Sequence, residues 1–331
     1  MRRSSLLILP IAGLAAAGTL AACGGQGGSD DGTTGVVAAF YPLAYAAEQV
    51  GGNNVNVTNL TPAGQEPHDL ELSPSDIAEI EEADYIVYLK GFIPELDAAI
   101  EEYAPDKALD VSTAVETIGY DSTQVFEDDH ADEHADETAD EHAEEEGEEH
   151  EHEALEGTDP HVWLDPVRYA QIGQAIADGL AGIDDANADD YKTAADAFTA
   201  DLTELDAEFT DGLANRTGDA IVTSHAAFGY LADRYGLTQV AISGLSPDQE
   251  PDSQRMADVA HYVEENGITT IFFETLVSPD IADTLAAESG ATTAVLNPLE
   301  GLTDEQVDAG EDYFTVMREN LAELQTALGA A

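Results

Sequence analysis

Cysteine occurs once in this 331-residue chain, at Cys23, and lysine and arginine together occur only 10 times. A single cysteine excludes an internal disulfide and a cluster of thiolate ligands, so a metal held here would be held by histidine and carboxylate. Ten basic residues face 69 acidic ones, a formal net charge of −59, which argues against recognition of nucleic acid or anionic lipid by charge. Acidity of this size attracts cations, keeps a surface hydrated in brine, or reflects compositional habit, and composition does not separate the three. The metalloprotease pattern HExxH is also missing. What is present is 43% hydrophobic residues and 12 tyrosines over a length sufficient for two domains with their own cores.

The chain starts "MRRSSLLILPIAGLAAAGTLAACGG". Two arginines precede an apolar stretch that ends in Leu20-Ala21-Ala22-Cys23, the pattern of a signal peptide (residues 1–22) closed by a lipoprotein cleavage box. The competing reading, a transmembrane helix, is weaker because the apolar segment is short of a bilayer span. Cys23 is therefore the expected lipidation site, and residues 23–35, rich in Gly, Ser and Asp, the expected flexible tether on the extracytoplasmic face of a cell membrane.

From residue 36, apolar strands alternate with amphipathic helices. "VVAAFYPLAYAAEQV" reads as a strand running into a helix, "NVNVTNL" as a strand, "SPSDIAEIEEA" as a helix capped by Ser73 or Ser75, and "DYIVYL" as a strand. The alternation resumes in "DAIVTS", "QVAIS", "TTIFFE" and "TTAVLN". Between the two series, Tyr191, Ala195, Phe198, Leu202, Leu205, Phe209 and Leu213 recur at steps of three and four, predicting one long helix over 189–213. The expected fold class is α/β: two lobes with parallel sheets, 36–188 and 214–331, joined by that rigid helix, with a site in the cleft between them.

Six of the nine histidines crowd into residues 127–166. Residues 130–145 repeat a four-residue unit, His-Ala-Asp-Glu and variants, with no apolar side chain larger than alanine. A helix there would stack like charges at Asp132, Asp136, Asp140, Glu144 and Glu148. Residues 127–156 therefore read as a disordered acidic loop in which His130, His134, His142, His150 and His152 gather metal weakly, without fixed geometry. His161 in "DPHVWLDP" is different, because it precedes a helix. His68, His225 and Glu300 likewise follow strands, where open α/β sheets place their ligands. Three imidazoles and a carboxylate form a complete tetrahedral donor set for zinc.

Other residues near these sites have structural readings. Trp163 and Tyr169 read as packing beside His161, and His261 as helix surface. Glu274 reads either as an acid approaching the cleft or as a helix cap, and Asp165 as a group orienting His161 through its second ring nitrogen.

Five stretches in order, "PAGQEPHDLELSPSD", "DPHVWLDP", "SHAAFGYLADRYGL", "SGLSPDQEPD" and "VLNPLEGLT", resemble the metal-binding solute-binding proteins of ABC importers, cluster A-I, and among them the zinc-uptake members. The resemblance implies that His68, His161 and His225 are metal ligands. It leaves the fourth open: Glu300 from the "NPLE" stretch, or Glu66 beside the first histidine. Manganese-type relatives carry Glu in place of the third histidine and a C-terminal Asp, so His225 points to zinc, and Asn297 stands where some relatives have Asp. The implied protein is not an enzyme but a monomeric, lipid-anchored receptor that captures Zn²⁺ as cargo and passes it to a membrane permease and its ATPase. The alternatives are a receptor for manganese or another divalent metal, a metal-dependent adhesin, or, further off, a zinc hydrolase, which would keep an open coordination position for water.

Overall fold

The computed structural model describes residues 33–120, 157–249 and 251–330; Cys23, the tether up to residue 32 and the histidine-rich stretch 127–156 lie outside them. The first sheet contains β1 (Thr34–Ala38), β2 (Val55–Asn59), β3 (Tyr85–Tyr88) and β4 (Ala108–Asp110) in the order β2-β1-β3-β4. The second contains β5 (Ala220–Thr223), β6 (Thr238–Ala241), β7 (Thr270–Phe273) and β8 (Thr292–Val295) in the order β6-β5-β7-β8. Every pairing is parallel. Sequence and position agree: the central β3 is an unbroken apolar run and largely buried, whereas the edge strand β2, where Asn alternates with Val and Thr, stays partly exposed.

Helices α1 (Tyr41–Gly51), α2 (Pro74–Glu82) and α3 (Pro94–Tyr103) connect the first sheet, and α6 (Gly229–Tyr235), α7 (Ser253–Glu265) and α8 (Asp280–Ser289) the second. Between the sheets run α4 (Pro166–Ile183) and α5 (Ala188–Gly212); α9 (Asp304–Ala309) and α10 (Tyr313–Ala327) close the chain. The abundant acidic side chains serve at helix N-termini, where free N–H groups and the helix dipole favour them. Asp165, Asp252 and Asp312 cap α4, α7 and α10, and Ser73 with Asp76 forms a capping box on α2.

The 25-residue α5 buries Tyr191, Ala195, Phe198, Leu202, Leu205 and Phe209 on one stripe, the residues whose spacing predicted it. At about 1.5 Å per residue it is roughly 37 Å long. Its partners belong to both halves of the chain. One core joins the first sheet to α4, α5, α6 and α10. Tyr313 of α10 packs 4.6 Å from Tyr169 of α4 and 6.1 Å from Tyr45 of α1. A smaller core between the second sheet, α7 and α8 centres on Val222, Val240 and Ile271. The final helix is thereby anchored on the first half of the chain.

The strand orders place the chemistry. Each sheet reverses direction beside its first strand, between β1 and β3 and between β5 and β7, and crevices open there at the carboxyl ends of the strands.

Candidate metal centre

His225 stands two residues past β5 and Glu274 one residue past β7. Thr223 pairs with Phe272 across these neighbouring strands, so the two residues emerge side by side at the switch point. The Glu274 carboxylate takes both donors of His225: ring Nδ1 lies 2.7 and 2.8 Å from its two oxygens, and the backbone N–H donates at 3.2 Å. This leaves Nε2 facing the cleft.

His161 is arranged in the same way by a different residue. It opens a short 3-10 turn, Val162–Leu164, and Asp159 two residues earlier accepts its backbone N–H at 2.9 Å and faces its Nδ1 at 2.8 Å. Asp159 is fixed in turn by α6. The Tyr230 hydroxyl donates to its carbonyl at 2.8 Å, and Gly229 leaves room for its carboxylate, since a Cβ there would sit 2.1 Å from Oδ2. The expectation that Asp165 orients His161 is corrected. The turn directs the Asp165 carboxylate away from the ring, to cap α4 through the Val167 N–H at 2.8 Å and to pair with Arg168 at 2.6 Å.

His68 lies in the loop after β2, on the 3-10 turn Pro67–Asp69 capped by Glu66, whose Oε1 accepts the His68 N–H at 3.3 Å. Its ring stands edge-on to Phe92 with centroids 4.4 Å apart. The loop rests on the segment that carries Glu300, through a bond from the Gly64 N–H to the Leu302 carbonyl at 2.8 Å.

These three histidines and Glu300 converge. Oε1 of Glu300 lies 3.0 Å from Nε2 of His161, 3.1 Å from Nε2 of His225 and 3.6 Å from Nε2 of His68, and the Nε2 atoms of His161 and His225 are 3.3 Å apart. One donor atom from each of the four fits within 4.8 Å of the others. A tetrahedron with bonds of about 2.0–2.1 Å has edges of about 3.3 Å, so these separations suit a zinc-sized ion. Nε2 of His68 and Oε2 of Glu300 are buried without a hydrogen-bond partner, a state that a bound cation would relieve.

Electrostatics also favours a cation. Burial alone would raise the Glu300 pKa, but attraction to His225 and hydrogen bonds from His161 and His225 hold it well below the carboxylate range. Burial would lower the pKa of both inner histidines. Asp159 and Glu300 outweigh it at His161, and Glu274 and Glu300 at His225, raising both. Glu66 is outside the four-donor group; burial first, then the neighbouring charge of Glu300, pushes its carboxyl up to about 9 in the metal-free protein.

The remaining residues singled out in the sequence take structural places. Trp163 and Tyr169 are fully buried, donating to the carbonyls of Pro298 and Pro42. His261 is exposed on α7, 3.2 Å from Glu265. Asn297 is buried and bonds to backbone. His130, His134, His142, His150, His152 and Cys23 fall outside the described residues. Asp159 was missed in the sequence; its signal was an Asx residue two before a histidine, the spacing of a side chain that turns back on the backbone.

Residues 36–327 match the ZnuA family, zinc-uptake complex component A, periplasmic. The zinc-binding lipoprotein AdcA of Streptococcus pneumoniae strain R6 is 38% identical over 329 residues, covering 98% of this chain and 61% of AdcA. The high-affinity zinc uptake system protein ZnuA of Bacillus subtilis strain 168 is 36% identical over 315 residues, 93% of each chain. The crystal structure of the Zn(II)-bound ZnuA-like domain of Streptococcus pneumoniae AdcA superposes with a TM-score of 0.69 at 34% identity, over 90% of this chain and 99% of that one. The chain thus spans about three fifths of the length of the streptococcal AdcA proteins it matches.

Proposed function

This chain belongs to the ZnuA family of zinc-uptake components, and from that premise we propose that it is the extracytoplasmic receptor of an ABC zinc importer. It captures Zn²⁺ with His68, His161, His225 and Glu300 and delivers it as cargo to a membrane permease driven by an ATPase. It acts as a monomer tethered by lipid at Cys23. The observation that carries this reading is the convergence of four donor atoms from sequence positions as far apart as 68 and 300. Three neutral imidazoles and one carboxylate favour zinc over manganese, which prefers oxygen donors. With four protein donors filling the tetrahedral set, the site is suited to holding an ion rather than activating a water.

Titration of the purified protein with Zn²⁺ and Mn²⁺ tests the assignment. One tight zinc site that is lost in His225→Ala is expected; tighter binding of Mn²⁺, or an unchanged His225→Ala protein, would overturn it. The stretch 127–156 acts, in this reading, as a separate collector in which carboxylates concentrate cations and the five histidines exchange them. Deleting it should remove the weak sites and leave the tight one at wild-type affinity, and loss of the tight site would refute the division.

A further inference from the structure

We propose that Asn320, on α10, is the positioning residue that fixes Glu300 as a metal donor, an inference that rests on the reading of Glu300 as the fourth zinc ligand. Glu300 ends a tight turn after β8, Asn297-Pro298-Leu299-Glu300. Leu299 has φ +58, and among the described residues it alone combines a positive φ with a side chain. The Cβ of an L-residue crowds the following carbonyl in this conformation, so the turn persists only where its surroundings hold it.

The holding groups can be traced to one helix. The Asn297 Oδ1 accepts the Leu299 N–H at 2.8 Å. The backbone N–H of Asn297 donates to Asn320 Oδ1 at 2.8 Å, and Asn320 Nδ2 donates to the Asn297 carbonyl at 2.7 Å. Both asparagines are 3% exposed. The Pro298 carbonyl accepts the indole N–H of Trp163 at 2.7 Å, and the Trp163 carbonyl accepts the Tyr313 hydroxyl at 2.6 Å. Helix α10 therefore holds the Glu300 turn through Asn320 and, through Tyr313, the segment bearing His161.

The rest of the buried face of α10 is Tyr313, Val316, Met317, Leu321 and Leu324. A leucine at position 320 would suit such a face. What the amide adds is a two-point grip on a backbone that must turn against its preference to present a carboxylate 3.0 Å from one imidazole and 3.1 Å from another.

The test compares the wild-type chain with Asn320→Leu, Asn320→Asp, Glu300→Ala and the double variant Asn320→Leu/Glu300→Ala. Zn²⁺ affinity is measured by chelator competition, and coordination by the visible absorption of the Co²⁺-loaded proteins. Asn320→Leu should weaken zinc binding by about 10- to 100-fold, the usual effect of losing an outer partner, and shift its Co²⁺ spectrum toward that of Glu300→Ala. Asn320→Asp keeps the acceptor but turns a second acceptor oxygen toward the Asn297 carbonyl in place of the donor, so it too should weaken binding. In the Glu300→Ala background, Asn320→Leu should cause no further loss.

Wild-type affinity in Asn320→Leu would overturn the proposal. So would an equal loss in both backgrounds, which marks a general structural role. Should Asn320→Leu fail to fold, Asn320→Asp carries the same cycle with the same criteria. Wild-type affinity in Glu300→Ala would instead overturn the ligand reading beneath the proposal.

Discussion

His225 and His68 present the same imidazole atom to the same oxygen of Glu300, at 3.1 and 3.6 Å, yet they are held in opposite ways. The His225 side chain is fully buried just past β5, with Nδ1 and backbone N–H both bound to Glu274. The His68 side chain is 10% exposed on a one-turn helix in a loop, and among the described residues no carboxylate pairs with its Nδ1. One is a fixed part of a template and the other an arm laid across it. A ligand held at two points keeps its direction without metal, while a ligand held by loop backbone can leave at little expense. In the proposed receptor, His68 is therefore the ligand expected to yield first when zinc is released.

The largest effect that tests this contrast is on affinity. His225→Ala should weaken zinc binding by more than about 100-fold, beyond the range for outer partners. His68→Ala should lose less and act mainly by speeding dissociation, as stopped-flow chelation would measure; equal losses with unchanged dissociation would break the contrast.

Next, Glu274→Gln removes the charge behind His225 and should cost about 10- to 100-fold in affinity. The corresponding change at Glu66, by Glu66→Gln, should cost less, since Glu66 lies outside the four-donor group. A larger loss from Glu66→Gln would place it among the ligands.

Protonation gives a smaller effect with a defined sign. In the metal-free protein the His225 pKa is raised above 6.5, so its contribution to stability is complete below that value and lost as pH rises through the folded pKa. The Glu300 pKa is lowered below 4.5, so its contribution is present above that value and lost as pH falls through the folded pKa. The cluster thus supports the metal-free fold best between about pH 4.5 and 6.5. Zinc must displace the imidazole protons. Calorimetry in buffers of different ionisation enthalpy should show proton release at pH 7, and the zinc-induced rise in Tm should be larger at pH 8 than at pH 6. A pH-independent rise would contradict the assigned protonation.

The smallest effect concerns the surface. With a net charge of −59, self-repulsion should be relieved by salt. Raising NaCl from about 0.1 M to 1 M shortens the screening length from about 10 Å to 3 Å and should raise Tm by a few degrees. A Tm that falls with salt would show that pairs such as Arg318 with Glu208 outweigh the repulsion.

The strand-helix alternation, the long helix, the two histidines that follow strands and His161 before its helix were legible in the sequence because each depends on local pattern: apolar runs, a 3.6-residue period, a polar residue where a run stops or starts. The supports of the site were not. Asp165 and Asp159 both flank His161, and only the direction of the short turn between them decides which reaches the ring. Glu274 reaches His225 because β5 and β7 are neighbours, a pairing across a separation of 49 positions that local sequence does not encode. The part played by α10 was invisible for the same reason, since Asn320 and Tyr313 look like ordinary positions on an amphipathic helix.

By itself, the sequence determined which atoms this protein has available for a cation: with one cysteine and few basic residues, only imidazoles and carboxylates remain, and strand ends confine where they stand. The tertiary structure decided which of them face one another and at what angle. Coordination needs several donors within a few ångströms of one point, and here those donors come from loops brought together by strand order and by a final helix packed on the first half of the chain.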